Sequence, residues 1–401
     1  MKEKKKLSLS VWIFIGMIVG ILVGLCFLKK PEFTTDYLKP IGTIYINLLK
    51  FLVVPVVLFS ITDGVVSLKD LKRVGSVGLR TFVYYMFTTA IAVVIGLVLA
   101  NVFKGAFPLL QTTGLEYEAK ESPSVMQVIV NIFPDNLLKP MVSADMLPVI
   151  VVAIFFGAGI LAAGDDGIPV GGAVGRMNKV IMQIMMMIIK FTPIGVFCTI
   201  VPVVEANGTK TIVSLATQLI ILYVAFYGFA IVVYGGAVKL IGKTSPVKFF
   251  KAIMPAALNA FGTCSSSATI PISKRCVEKE LGVSNQISSI AIPLGATVNM
   301  DAVSILMSFM IMFFANACGI NVSISMMVII LLANVLLSVG TPGIPGGAIA
   351  SFAALATMAG LPAGVMGVYI SINTLCDMGA TCVNFISIGF LWKDNESSNK
   401  K

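Results

Sequence analysis

Ser338-Val339-Gly340-Thr341-Pro342-Gly343-Ile344-Pro345-Gly346-Gly347 interrupts an otherwise apolar segment of the chain. Proline removes a backbone donor and crowds the preceding turn, so two Pro-Gly pairs three residues apart dismantle a helix rather than bend it. The apolar arms on either side, about 325–338 and 348–360, are too short to cross a bilayer core separately, which takes about 20 helical residues. Upstream, Gly262-Thr263-Cys264-Ser265-Ser266-Ser267-Ala268-Thr269-Ile270-Pro271 breaks a second segment between arms at about 252–262 and 268–273. Both breaks predict helical hairpins that enter the membrane and return to the same side. Irregular backbone at that depth persists only where protein covers it or where it lines a wet cavity, and paired interruptions point to a transporter's binding site.

Composition supports a membrane setting. Of 401 residues 57% are hydrophobic and 12% charged, and the mean hydropathy is +0.96, well outside the range of soluble globular proteins. Apolar runs near 8–28, 40–67, 80–104, 146–164, 177–204 and 212–242 are mostly long enough to span, and the longer ones are expected to tilt. The net charge of +10 reports topology more than an anionic partner, and no nucleic acid is expected. Lys2, Lys4, Lys5 and Lys6 precede the first run, Lys69, Lys72, Arg73 and Arg80 follow the second, and Lys239, Lys243, Lys248 and Lys251 follow the sixth. An even number of crossings separates these clusters, so all fall on one side, the cytoplasmic one by the positive-inside rule, and the amino terminus is expected inside.

The first hairpin lies between Lys251 and Lys274-Arg275 and therefore enters from the cytoplasm. After one crossing at 287–314 the second enters from outside, as an inverted repeat would arrange it. The stretch at 105–145, with Glu116, Glu118, Lys120, Glu121 and Asp135, predicts a surface loop. The first run has no small-residue cleavage site and is expected to be a retained span rather than a signal peptide.

Several chemistries are excluded. The seven cysteines (Cys26, Cys198, Cys264, Cys276, Cys318, Cys376, Cys382) are scattered in apolar context, with neither a disulfide framework nor a metal-binding spacing. There is no histidine, which removes imidazole acid–base catalysis and the commonest transition-metal ligand.

Asn299-Met300-Asp301 sits inside the apolar run from Ile287 to Phe314. Inserting an acid there costs roughly 2.5–3.5 kcal/mol, so it marks an ion or substrate path more often than packing. Between Glu205 and Asp394 the only acids are Glu278, Glu280, Asp301 and Asp377, and the first two belong to a basic loop. Asp377, Thr381 and Asn384 share one helix face at i, i+4 and i+7, while Asn299 and Asp301, two residues apart, point to different neighbours. Asp301 is assigned to ion coordination and Asp377 to a substrate ammonium. The bland alternatives are acids paired with lysine or backbone donors, and a tri-serine run that merely packs helices closely. Lys190 can snorkel and receives no role, and Met185, Met186 and Met187 are packing or lipid-facing. Two membrane aspartates also admit an aspartyl protease, and polar hairpins admit a channel filter, but saturable uptake of a solute would separate both from a carrier.

At these residues the chain resembles the dicarboxylate/amino acid:cation symporter family, the glutamate-transporter-homologue fold. The resemblance covers most of the chain and is carried by Leu48-Leu49-Lys50-Phe51-Leu52-Val53-Val54-Pro55, Asp70-Leu71-Lys72-Arg73 through Tyr84-Tyr85, Met146-Leu147-Pro148, Pro193-Ile194-Gly195-Val196-Phe197, Ser265-Ser266-Ser267-Ala268-Thr269, Pro293-Leu294-Gly295-Ala296-Thr297, Asn299-Met300-Asp301 and Asp377-Met378-Gly379. It implies an all-α membrane protein with eight transmembrane helices and two re-entrant helical hairpins in inverted repeats. It further implies a homotrimer in the cell membrane with both termini cytoplasmic, working by an elevator motion. Residues of about 1–75 and 121–242 would be scaffold, and about 76–104 and 245–392 the transport domain.

By the same resemblance Tyr85, Thr88, Thr89, Asn299 and Asp301 form one sodium site, and Thr297, Met300, Ser338, Val339 and Thr341 another. Asp377 holds the substrate amino group. Thr381, Asn384, the amides of Ser265, Ser266 and Ser267, and the backbone of Gly340, Gly343, Ile344, Pro345 and Gly346 hold its carboxylate and main-chain atoms. Sodium is the expected coupling ion, with no other cofactor, and a proton-coupled or dicarboxylate carrier is the alternative.

Two departures stand out. Acidic-substrate members place arginine at the position of Ala380 and threonine at that of Val303, and here both are apolar, with no replacement charge at Cys264 or Asn373. A dicarboxylate would lack its charge partner, a loss on the order of 3–5 kcal/mol, so an uncharged side chain is expected on the substrate. A third sodium site, left with Gly295, Asn299 and Asn384, has Ile388 where the family has a carboxylate, and that ion is expected to be absent.

Overall fold

The computed structural model describes residues 9–27, 32, 34–73, 76–106, 130, 133–240, 242–283, 285–362 and 364–388. Lys2, Lys4, Lys5, Lys6, Glu116, Glu118, Lys120 and Glu121 lie outside the described residues, as do the side chains of Lys69, Lys72, Arg73, Arg80 and Ile388.

All the regular structure among the described residues is helical. The first half runs α1 (Leu9–Cys26), α2 (Lys39–Arg73), α3 (Ser76–Val102), α4 (Met146–Ala162), α5 (Gly167–Ile189), α6 (Thr192–Asn207) and α7 (Thr209–Phe229). Helix α7 continues through a π turn at Ala230–Tyr234 into Gly235–Leu240. The second half contains α8 (Pro246–Thr263), α9 (Ser266–Leu281), α10 (Asn285–Val298), α11 (Asp301–Ala317), α12 (Ile324–Gly340), α13 (Ala348–Met358) and α14 (Val365–Ile388). Four stretches among the described residues are helical, long and apolar enough to cross a membrane: Asp36–Ser67, Phe82–Val102, Ile212–Leu240 and Gly295–Ala317.

Two expected single spans are broken. The apolar run 177–204 divides at Lys190-Phe191, and α5 and α6 meet at a bend of 56° with Pro193 in the first turn of α6. Proline is comfortable at a helix start, where its missing N–H has no partner to lose. The run 287–314 divides at Asn299-Met300, where Met300 leaves the helical region (φ −121°, ψ 42°) and Asp301 heads α11.

Helix α11 is buried along nearly its whole length, Asp301 through Ala315 without exception, as a helix apolar on every face must be. Close approach by small residues sets its neighbours. A Cβ on Gly96 of α3 would fall 2.7 Å from the Ile305 carbonyl oxygen of α11. On α1, Gly16, Gly20 and Gly24 recur every fourth residue against α6; a Cβ would lie 2.6 Å from the Pro193 carbonyl oxygen at Gly16 and 2.8 Å from Val204 Cβ at Gly24. Such stripes let membrane helices touch backbone to backbone. A single residue, Gly208 (φ 60°, ψ −142°), separates α6 from α7.

Both expected hairpins form as helical pairs. In the first, α8 and α9 pack together and turn at Cys264 (φ 50°), and Ser265 Oγ caps α9 by accepting from Ala268 N at 3.2 Å. Its arms are longer than the apolar pattern suggested, because the polar Lys274–Glu280 stretch extends α9 as helix to Leu281. In the second, α12 and α13 flank the irregular turn 341–347, where Gly346 has φ +74°. Phe352 of α13 stacks on Tyr369 of α14, ring centroids 3.7 Å apart; such pairs add about 0.5–1.5 kcal/mol beyond their burial. All seven cysteines are free.

Candidate functional site

The break in the α10–α11 helix exposes backbone groups and turns Asn299 and Asp301 to different partners. Asp301 is fully buried and accepts two hydroxyl hydrogen bonds, from Thr89 Oγ1 of α3 at 2.7 Å and Tyr234 Oη of α7 at 2.7 Å. Tyr234 closes the π turn of α7, a distortion frequently found at functional positions. Sequence reading missed it: an isolated tyrosine late in an apolar run carries no signal of its own.

Asn384 of α14 splints the break. Its Oδ1 accepts from Ala302 N at 2.7 Å, its Nδ2 reaches Met300 Sδ at 3.5 Å, and its carbonyl accepts from Asn299 Nδ2 at 3.1 Å. Ala302 N is one of the unpaired donors at the start of α11, so Asn384 caps that helix from another element. Asn299 N in turn donates to the Gly295 carbonyl at 3.0 Å.

Asp377 lies about two turns before Asn384 on α14, also buried. Its Oδ1 accepts from Thr381 Oγ1 at 3.0 Å and its Oδ2 from Gly346 N at 3.1 Å, so the tip of the second hairpin rests on the carboxylate. The two tips also meet: Ser265 Oγ and Ser267 N both donate to the Gly343 carbonyl, at 3.1 and 3.0 Å. Only glycine fits at 343, where a Cβ would lie 2.6 Å from the Ala296 carbonyl oxygen and 2.9 Å from Ser266 Cβ. A cavity of about 20 Å³ opens beside Asp377, lined among others by Cys264, Pro345, Gly346, Asn373 and Thr192.

The ion pairs among the described residues are Lys139–Asp135 and Lys274–Glu278, so neither Asp301 nor Asp377 is neutralised by lysine or arginine there. Ala380 and Val303 are buried. No group of three or more His, Cys, Asp or Glu side chains capable of holding a metal occurs among the described residues.

The remaining predicted residues divide. Tyr85 is buried, with no hydrogen-bond partner for its hydroxyl among the described residues, and Thr88 Oγ1 donates to the Tyr85 carbonyl at 3.1 Å. Ser338 donates to Val335 O at 2.7 Å, and Thr341 bonds Leu337 O and Ser351 Oγ at 2.9 and 2.7 Å. Thr297 is exposed and donates to Pro293 O at 3.3 Å. Val339 and Gly340 lie against Gly64 and Ile61 of α2. Ser338 thus bonds within its own helix, whereas Thr89, Asn299, Met300, Asp301 and Asn384 form one linked group.

Polytopic, all-helical, with two hairpin tips and a broken helix converging on two uncompensated carboxylates, the molecule belongs to the class of secondary membrane transporters. The model of the sodium:dicarboxylate symporter family matches residues 9–391, and the chain belongs to that family. It is 33% identical to a proton/sodium-glutamate symport protein of Geobacillus stearothermophilus, covering 95% of this chain and 92% of that protein. A C4-dicarboxylate transport protein of Bacillus subtilis (strain 168) is 28% identical, over 95% of this chain and 91% of the relative. A proton/glutamate-aspartate symporter of Escherichia coli (strain K12) is also 28% identical, over 95% and 90%. The protein is therefore a multi-pass, ion-coupled symporter and not an enzyme.

Proposed function

We propose that this symporter couples sodium influx to uptake of a neutral amino acid. The observation that carries the reading is that Ala380 and Val303 are apolar and buried and that, among the described residues, no lysine or arginine lines the cavity beside Asp377. A substrate with a second carboxylate would be desolvated there without a cation, at a cost on the order of 3–5 kcal/mol. Asp377 meets the ammonium, and Thr381 with backbone amides of the hairpin tips meets the carboxylate. Asp301, Thr89, Asn299 and the Met300 region hold the cation. Because the tip of the second hairpin touches Asp377 and the first hairpin, solute binding and tip position are linked, and cation and solute raise each other's affinity.

The elevator motion, the re-entrant placement of both hairpins, the homotrimer and a cell-membrane location with both termini inside belong to the same proposal. One boundary is redrawn within it. Tyr234 bonds Asp301 and Tyr223 Oη donates to Leu375 O of α14 at 2.7 Å, which supports grouping α7 with the transport domain rather than ending the scaffold at 242.

Purified protein in proteoliposomes tests the reading. Labelled alanine should accumulate against its gradient when sodium is applied outside; accumulation indifferent to sodium and proton gradients would remove the symport claim. The relatives' names favour a second reading, an acidic substrate. Glutamate competing for uptake where alanine does not would establish it.

A further inference from the structure

Asn373 stands four residues before Asp377 on α14, so the two side chains share a face about one turn apart. Both line the cavity between the hairpin tips, α1 and the α5–α6 corner, whose aliphatic walls are Leu9, Ile13, Ile189, Ile349 and Ile370. Asn373 is 3% exposed, and its Oδ1 has no hydrogen-bond partner among the described residues. A buried acceptor left unpaired is unfavourable, so the group is completed by whatever fills the cavity. That space, about 20 Å³, holds one water-sized group. It admits a hydroxyl.

We infer that this cavity receives the solute's side chain and that Asn373 selects a small hydrogen-bond donor there, making hydroxyl amino acids of the serine and threonine class the preferred substrates. The inference rests on the neutral amino acid reading, with the ammonium at Asp377. From that anchor a β-substituent points along α14 toward Asn373, one turn away. The carbonyl acceptor takes an O–H and gives nothing to a methyl. A neutral hydrogen bond of this kind corresponds to about a tenfold preference.

The test is competition for uptake in proteoliposomes containing the full chain, with labelled serine, alanine and glutamate run in parallel. Serine should inhibit at about tenfold lower concentration than alanine, and threonine likewise against its isostere valine. In Asn373→Leu both ratios should fall to about one, and in Asn373→Gln the serine preference should be at least partly retained. A merely structural role for Asn373, or a water held permanently on it, predicts equal changes for serine and alanine, and unchanged ratios in Asn373→Leu would overturn the inference. Should that variant fail to fold, the wild-type ratios decide: equal inhibition within each pair overturns the selection while leaving neutral amino acid transport intact. Uptake of glutamate with no competition from any neutral amino acid would overturn the underlying reading instead.

Discussion

Asp377→Asn removes one charge and keeps nearly the same shape. The carboxylate now accepts from Thr381 Oγ1 and Gly346 N. An amide whose oxygen faces the Gly346 N–H can donate its NH₂ to the Thr381 hydroxyl, which accepts as well as donates, so both contacts survive in that orientation. The larger effect falls on the bound solute. A hydrogen bond to a charged group contributes about 1.5–3 kcal/mol, and each 1.4 kcal/mol is tenfold in affinity, so the half-saturating concentration for amino-acid uptake should rise roughly 10- to 100-fold. Concentration-dependent uptake in proteoliposomes measures this, alongside a thermal melt that should shift little, because no permanent cation among the described residues depends on the carboxylate. Half-saturation unchanged in a well-folded variant would refute the ammonium assignment.

Three further outcomes are expected. Asp301→Asn should raise the sodium concentration needed for half-maximal uptake by at least tenfold, since a buried ligand charge is lost; an unaltered cation dependence would remove Asp301 from the ion site. Gly343→Ala places a methyl 2.6 Å from the Ala296 carbonyl oxygen, so the tips should no longer meet and uptake should fall sharply while the melt moves by a few degrees at most. Normal uptake would show that tip contact is dispensable. The double change Ala380→Arg with Val303→Thr should shift competition toward glutamate or aspartate, and an unchanged substrate ranking would place side-chain selection elsewhere.

Much of this architecture was legible in the sequence because prolines, glycines and acids are rare at membrane depth and each demands a reason. The doubled Pro-Gly pairs foretold the turn 341–347, and the serine run foretold the tip that meets it at Gly343. Asp377 and Thr381 fell together from helical spacing alone. What stayed hidden depended on partners distant in sequence. Tyr234 reaches Asp301 from 67 residues away, and nothing near it announces the contact. Asn384 was assigned to ligands; its side chain also splints the helix break, a role that depends on the backbone of another helix. Hydropathy also ran straight through the breaks at Lys190-Phe191 and Asn299-Met300, because apolar character reports the solvent and not the continuity of the ladder.

The joint between α6 and α7 has a consequence for motion. If, in the proposed elevator motion, α7 rides with Asp301 while α6 stays with the glycine stripe of α1, rotation between them at this crossing falls on the backbone torsions of Gly208. With φ at 60° and ψ at −142°, that residue occupies a region closed to side-chain-bearing residues. It would serve as the swivel of the machine, where even a methyl group would act as a brake.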